Sequence, residues 1–458
     1  MQLKTFEAIS LNHIPKISID FGENVNFVTG INGSGKTVVL RSIISLLSGN
    51  LEALATIQYS KIKIEFRYQG KVHYISAEKT LKEGVKLRCS ATRNVFQFFE
   101  SEGIREYPGG DEADSYYDHE YLSNSHHPVL AFINDIPTPM FLGLDRRYRR
   151  NENPYRRRRA LGGISRRKKK NIFGAMLGDS LDQAIELAEN KYRQTEIQST
   201  RIRKEFVRDL LLQLLDIRVQ ENSTGFDIPT KKDRQLVPEA RQAILQFPKV
   251  EGLTGKDIRR KIDPTLQKIS DLLEKIPSDL KEHDIRGEEF FRDNISVLSA
   301  IMQWESYKPV LNQINEISAL ITSFNDREKE IRRVTRNYLS MLASFLDDSY
   351  KNIGFDERGA ISVHSHQDNI GIEELSSGES QIFVLLTHLA FNPDVQDTGV
   401  FVIDEPELSL HLLWQEILVD NLLKANSNLQ YVMATHSPSI IGDRVEYAID
   451  ISKYAGHK

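Results

Sequence analysis

Cysteine is nearly absent: Cys89 stands alone in 458 residues, so no disulfide can form within the chain, which suits a reducing compartment. Long apolar runs are missing too. No stretch approaches 18 consecutive apolar residues, which speaks against a membrane-spanning helix and a membrane partner. The opening MQLKTFEAISLNHIPKISIDF alternates apolar and polar residues and lacks the apolar core of a secretion signal. Charge is not of one sign: 60 Lys and Arg against 64 Asp and Glu leave a formal −4, which decides nothing about partners because the charges are unevenly placed. What is present, 40% hydrophobic and 27% charged residues, suffices for a real core and excludes general disorder. The expectation is a soluble, cytoplasmic protein of one large domain or about two to three ordinary ones.

Along the chain, residues 1–29 read as short alternating segments, the last of which, Val25-Asn26-Phe27-Val28-Thr29, is a strand running into glycine. From Lys36 the spacing turns helical, with Val39, Ile43, Leu46 and Leu47 on one face and Ser48-Gly49 as the stop. Residues 60–100 look β-rich, with strands at Lys61 to Tyr68 and Val72 to Ser76. An acidic stretch follows, from Glu100 to Glu120, and a strand is predicted over Pro139 to Leu144. The middle is helical. One long helix is expected over 180–218, opened by a capping box of Ser180 and Gln183, and a second from Pro309, a residue suited to a first turn. Positions 310, 314, 317, 321, 324, 328, 331, 335, 338, 342 and 345 follow a heptad rhythm, and nine of these eleven are apolar or aromatic. If continuous over about 40 residues, each helix would span roughly 60 Å. They read as an antiparallel pair or as two long helices in an ordinary helical subdomain. From Ser362 onward β and α segments alternate again.

Four motifs carry chemistry. GINGSGKT, from Gly30 to Thr37, follows a strand and precedes a helix, the context in which G-x-x-x-x-G-K-[ST] cradles phosphates. Gly30, Gly33 and Gly35 let backbone N–H groups converge on phosphate oxygens, and the helix dipole points at the same place. Asn32, Ser34 and Val38 belong to the same loop and helix start. Lys36 is placed for the β- and γ-phosphates, and the Thr37 hydroxyl for Mg²⁺. In GVFVIDEPELSLH, the apolar run Val400 to Ile403 reads as a strand buried on both faces. Asp404 and Glu405 stand at its end, the first suited to Mg²⁺, the second to orienting and polarising an attacking water. Leu375-Ser376-Ser377-Gly378-Glu379 precedes an apolar helix about 25 residues before Asp404, so its backbone forms a second anion-binding helix start. Ala434-Thr435-His436-Ser437-Pro438 follows an apolar strand.

In order and spacing these motifs resemble those of ABC-type ATPases, and the LSSGE form of the signature resembles the SMC-like branch. The resemblance rests on residues 1–47 and 370–440. It implies an α/β fold: an ABC ATPase head, with a P-loop α/β core and an N-terminal antiparallel β subdomain, plus a helical, short coiled-coil-like insertion. The expected divisions are 1–145 and 351–458 as the two halves of the head, 146–178 as a basic loop, and 179–350 as a helical assembly domain. It also implies that Ser376, Ser377, Gly378 and Glu379 cap ATP held on the P-loop of a second copy, that His436 senses the γ-phosphate, and that Ser409 and His411 lie at the dimer seam. The family's glutamine-loop residue has no match, because Asp145-Arg146-Arg147 stands where it belongs.

Roughly 340 residues separate P-loop and signature, far more than in transporter heads and similar to SMC, RecF and OLD-type ATPases. Little chain follows His436, so the nuclease domain of OLD proteins is not expected, nor any nuclease activity. The chain therefore resembles the ATPase subunits of two-gene anti-phage defence systems. In the PARIS type the separate partner is a Toprim nuclease; in Septu and some retrons it is an HNH nuclease. The resemblance implies homo-oligomers, a nuclease partner and a phage protein as trigger. A RecF- or SMC-like DNA-repair ATPase that binds DNA directly is the alternative. Residues 146–170 hold thirteen Arg or Lys and one acid, Glu152. This run fits a nucleic-acid backbone, an acidic protein, or the acidic stretch of its own fold.

Overall fold

The structure, a computed structural model, describes residues 1–12, 14–80, 83–99, 111–137, 139–142, 148–149, 177–215, 227–248, 254–281, 285, 290, 294–365, 368–393, 395 and 399–454. It divides into two units, Met1–Lys191 with Thr335–Lys458, and Tyr192–Val334.

The first unit opens with strands β1 (Gln2–Leu11), β2 (Ile14–Asp20) and β3 (Val25–Thr29), then helices α1 (Lys36–Ser48) and α2 (Leu51–Thr56). Strands β4 (Lys61–Tyr68), β5 (Lys71–Thr80), β6 (Gly84–Cys89) and β7 (Phe96–Phe98) follow, then α3 (Asp111–Ser123), α4 (Pro128–Asp135), β8 (Met140–Leu142) and β9 (Tyr148–Arg149). Its second stretch carries β10 (Lys351–Phe355), β11 (Ile361–Ser365), β12 (Asp368–Ile370), α9 (Ser377–Phe391), β13 (Val400–Asp404), α10 (Leu412–Ala425), β14 (Gln430–Ala434), α11 (Pro438–Ile441) and β15 (Ala448–Asp450). Two long helices run through both units: α5 (Leu177–Leu215) and α8 (Ile295–Leu346). Between them the second unit holds α6 (Lys231–Leu245) and α7 (Gly255–Lys275).

Two large sheets organise the first unit. The antiparallel sheet runs β2-β1-β4-β5-β6-β7, and the other runs β15-β3-β14-β13-β8-β9 with all but β9 parallel. Alternate residues of the parallel strands enter different cores. Val28, Val400, Val402 and Val432 join the cluster with Val39, Ile43, Ile62 and Ile64. Phe27, Phe401, Ile403, Tyr431 and Met433 join the cluster with Phe383, Leu386 and Leu418. Burial on both faces explains the continuous apolar runs at Val25 and Val400. The buried Gln430 side chain joins the two sheets: it accepts from Leu3 N at 2.7 Å and donates to Leu3 O at 3.1 Å and Gly22 O at 2.6 Å.

In the second unit α6 and α7 each start from a capping box, Thr230 with Asp233 and Thr254 with Asp257. Their apolar faces pack with Ile301, Trp304 and Leu311 of α8. The α5 and α8 segments pair antiparallel: Glu196 with Arg332 at 2.6 Å, Ser199 with Glu328 at 3.1 Å, and Gln213 with Glu316, so one number rises as the other falls.

Three expectations from sequence need correction. Helix α5 begins at Leu177, so Ser180 is not its cap; the intervening Gly178 costs only about 1 kcal/mol against alanine inside a helix. Helix α8 begins at Ile295 and passes through Pro309. A proline inside a helix costs about 3 kcal/mol, but Ile301 and Trp304 before it and Leu311 and Ile314 after it are buried in one core, and that packing prevails. The heptad seam is buried from Ile314 to Phe324 and again from Thr335 to Phe345, with Glu328 and Ile331 half-buried between, while at its start Leu311 rather than Val310 points inward. The basic run 146–170, apart from β9, and Asp145-Arg146-Arg147 lie outside the described residues, as do residues 100–110 of the acidic stretch.

Candidate functional site

The parallel sheet brings the ends of β3, β13 and β14 side by side, with Val28 in register with Ala434, and Ala434 with Asp404. The loop after β3 turns on Gly33 (φ 81°) and Gly35 (φ 94°), a left-handed backbone that a side chain would strain. Helix α1 then starts at Lys36 with no side-chain cap on its first N–H groups, leaving them directed at the loop. The Lys36 ammonium donates to Gly30 O at 2.9 Å and Ile31 O at 3.3 Å. Asn32 and Gly33 are exposed, Ser34 is buried, and Val38 is partly exposed behind the loop.

Thr37 Oγ1 donates to Asp404 Oδ1 at 3.2 Å, across 367 residues of chain. Asp404 is 4% exposed, and its Oδ2 is buried with no hydrogen-bond partner among the described residues. Burial raises the Asp404 pKa to about 6, with Glu405 adding to the rise and Thr37, Arg41 and Lys36 opposing it. A hydroxyl and a desolvated carboxylate with one free oxygen fit a hard divalent cation, which takes oxygen ligands and keeps some water. Glu405 adopts φ 49°, a strained conformation for a residue with a side chain, and its N–H donates to Ala434 O at 2.8 Å. His436 follows β14, exposed, with its Nδ1 turned toward Glu407.

A second cluster holds the Ser376–Glu379 turn. Ser376 caps α9 in a capping box with Glu379, accepting from Glu379 N at 3.3 Å while Ser376 N donates to Glu379 Oε2 at 2.6 Å. Lys351 Nζ donates to the same oxygen at 2.9 Å. Burial pushes the Glu379 pKa up, but Lys351 and Ser376 outweigh it and hold the carboxyl below its ordinary range. Ser377 is exposed, and Gly378 is packed against Ser409 and Trp414. His411 is exposed and precedes α10.

Thus the structure groups Lys36, Thr37, Asp404, Glu405 and His436 at the ends of three adjacent strands, and places Ser376–Glu379 with Ser409. Sequence reasoning missed Lys351, which precedes the motif, and Glu407, whose signal was an acid two residues beyond Glu405 in a turn with mostly buried neighbours.

The AAA ATPase domain family (AAA_15) matches residues 12–441. The chain belongs to it. As a member of this family it carries an AAA ATPase domain over most of its length. It is 32% identical over 87 residues to the "Retron Ec83 probable ATPase" of Escherichia coli, covering 17% of this chain and 16% of that protein. It is 27% identical over 156 residues to the "Retron Vc95 probable ATPase" of Vibrio cholerae, covering 32% of this chain and 30% of that one. These matches thus span less than a third of each relative's length. Among solved structures it is similar to the Smc head domain of Pyrococcus furiosus, solved with an extended coiled coil and bound to the C-terminal domain of ScpA. That likeness has a TM-score of 0.41 and 12% identity over 96% of this chain and 91% of that one. The SMC head domain of Thermotoga maritima gives 0.37 and 9% over 98% and 92%. The chain's own antiparallel sheet, parallel sheet and two long helices agree with the α/β fold read from the sequence. No described helix is long and apolar enough to cross a membrane.

Proposed function

We propose that this ATPase works as an ATP-closed homodimer, assembled further into a complex that holds a separate nuclease in check in anti-phage defence. In this reading the Gly30–Val38 loop and Lys36 grip the triphosphate, with the ammonium moving from the Gly30 and Ile31 carbonyls to the phosphates. Thr37 and Asp404 hold Mg²⁺, which when bound neutralises charge on the β- and γ-phosphates. Glu405 aligns the attacking water, and His436 meets the terminal phosphate. The exposed Ser376–Ser377 turn of one copy caps the nucleotide on the other, enclosing it between fixed donors.

The observation that carries this reading is the Thr37–Asp404 hydrogen bond, beside an unpartnered buried carboxylate oxygen and a strained Glu405. It pairs the phosphate loop with an acidic strand end, the two halves of an Mg–nucleotide site. The defence role is supported by the partial similarity to two retron ATPases.

Glu405→Gln tests the chemistry. Turnover should fall by about two orders of magnitude or more, while light scattering finds an ATP-bound dimer. Wild-type turnover in that variant would reassign the base. Co-expression with the neighbouring gene tests the role: a Toprim or HNH nuclease should co-purify. DNA cleavage by the purified chain alone, or salt-dependent DNA binding abolished by neutralising 156–170, would favour direct action on nucleic acid instead.

A further inference from the structure

Glu407 is a buried acid inside GVFVIDEPELSLH, and the reading of that motif gives it no role. It lies in the turn after β13, its side chain only 5% exposed. Its Oε2 accepts from Thr435 Oγ1 at 2.8 Å, and its Oε1 accepts from His436 N at 2.8 Å and lies 2.9 Å from His436 Nδ1. Both carboxylate oxygens are therefore engaged by two consecutive residues at the end of β14. A carboxylate buried without such partners would carry a large desolvation cost, so the turn after β13 and the loop after β14 are joined through this one side chain.

The arrangement decides which edge of the imidazole is free. An ionised carboxylate only accepts, so the nitrogen facing it carries the proton, which fixes the Nδ1–H form. Free imidazole side chains favour the opposite tautomer. With Nδ1 engaged, the ring is pinned at one side while 46% of the side chain stays exposed, and Nε2 is the nitrogen left for a ligand. Neighbouring bonds brace the same loop: Ser437 N donates to Thr435 Oγ1 at 3.0 Å, and Ser437 Oγ donates to Gln415 Oε1 at 2.7 Å.

We propose that Glu407 is a positioning residue for ATP hydrolysis: it holds His436 in the Nδ1–H form, so that the Nε2 lone pair accepts from a water that bridges the ring to the terminal phosphate. The proposal rests on the reading that His436 meets that phosphate. Glu407 touches neither nucleotide nor water; it acts through the ring, as the orienting carboxylate of other histidine sites does. Because it lies in the turn after the strand that ends at Asp404, just beyond Glu405, it also ties the ring's placement to those residues.

The test is a double-mutant cycle on the full chain, with kcat and KM for ATP measured for Glu407→Ala, His436→Ala and the pair. Glu407→Ala should lower kcat about tenfold or more while KM stays within about twofold. The double variant should be no slower than His436→Ala, because two residues that act as a unit are not additive. Glu407→Gln should recover most of the rate, since its amide oxygen can accept both His436 donors. Nitrogen-15 spectra of labelled histidine, assigned by loss of the signal in His436→Ala, should show Nδ1–H in the wild type and its loss in Glu407→Ala. Multiplied penalties in the double variant, wild-type kcat in Glu407→Ala, or an Nε2–H tautomer in the wild type would each overturn the proposal. The tautomer reading needs no Glu407 variant, so it decides even where Glu407→Ala does not fold. A wild-type rate for His436→Ala has a different meaning: it removes the underlying reading of His436, and this proposal with it.

Discussion

Gly378 and Ser409 are in contact so close that a β-carbon on Gly378 would overlap the Ser409 carbonyl oxygen. The turn that opens α9 and the loop that follows Glu405 thus fit only without a side chain at this point. Trp414 closes the same spot, with its ring edge 3.5 Å from where that carbon would stand and its face edge-on to Phe345, 6.0 Å between centroids.

Gly378→Ala should therefore force the two loops apart, at a cost of about 1–3 kcal/mol for overpacking. The melting temperature should fall, and Trp414 emission should shift, because its packing partner moves. ATP binding to the monomer should persist, since the Gly30–Thr37 loop is not part of this contact. An unchanged melting temperature and spectrum would mean that the loops accommodate the methyl freely.

Lys36→Ala should abolish ATP binding, measured with a fluorescent ATP analogue. Among the described residues the ammonium donates to the loop carbonyls of Gly30 and Ile31, and GINGSGKT holds no second cation to replace its positive charge. Ordinary affinity in this variant would remove the loop's assignment.

Asp404 and His388 act on acid stability in opposite directions. Burial raises Asp404 to about 6 from 3.8, so the folded state binds its proton more tightly and stability falls as pH rises through this window. Burial lowers His388 to about 4 from 6.5, so the unfolded state binds more protons and stability is lost as pH falls from 6.5 toward 4. Each slope approaches roughly 1.4 kcal/mol per pH unit, and between pH 4 and 6 the two largely cancel. Asp404→Asn keeps an acceptor for Thr37 but removes one slope. Without divalent cations, that variant should be stabilised at pH 7 and lose stability more steeply than the wild type on acidification. Parallel melting curves of the two proteins from pH 7 to 4.5 would contradict the assignment.

Trp304 is fully buried in the core of the second unit, and its Nε1 has no hydrogen-bond partner among the described residues. Trp304→Ala should cost about 3–5 kcal/mol by leaving a cavity. Trp304→Phe should cost much less, because losing an unpaired buried donor returns about 1–3 kcal/mol against the lost contact area. Denaturant unfolding followed by circular dichroism separates them; equal losses in both would mean that the indole N–H is satisfied.

The glycine-rich turn before Lys36, the acidic end of β13, the capped start of α9 and the loop after β14 were legible in the sequence because each is local structure. A few consecutive residues set a turn, a helix start or a strand end, and both-face burial of the parallel sheet left continuous apolar runs that mark its strands. Local signals failed where packing at a distance decided. Pro309 reads as a helix start, but α8 continues through it because the core beneath holds residues on both sides. The partnership of Thr37 with Asp404 joins positions 367 residues apart, which only the order of the parallel strands brings together. Lys351 on Glu379 and Glu407 on His436 are single long-range side-chain pairings. No periodicity announces them, because which buried carboxylate meets which donor depends on where separate strands and loops come to rest.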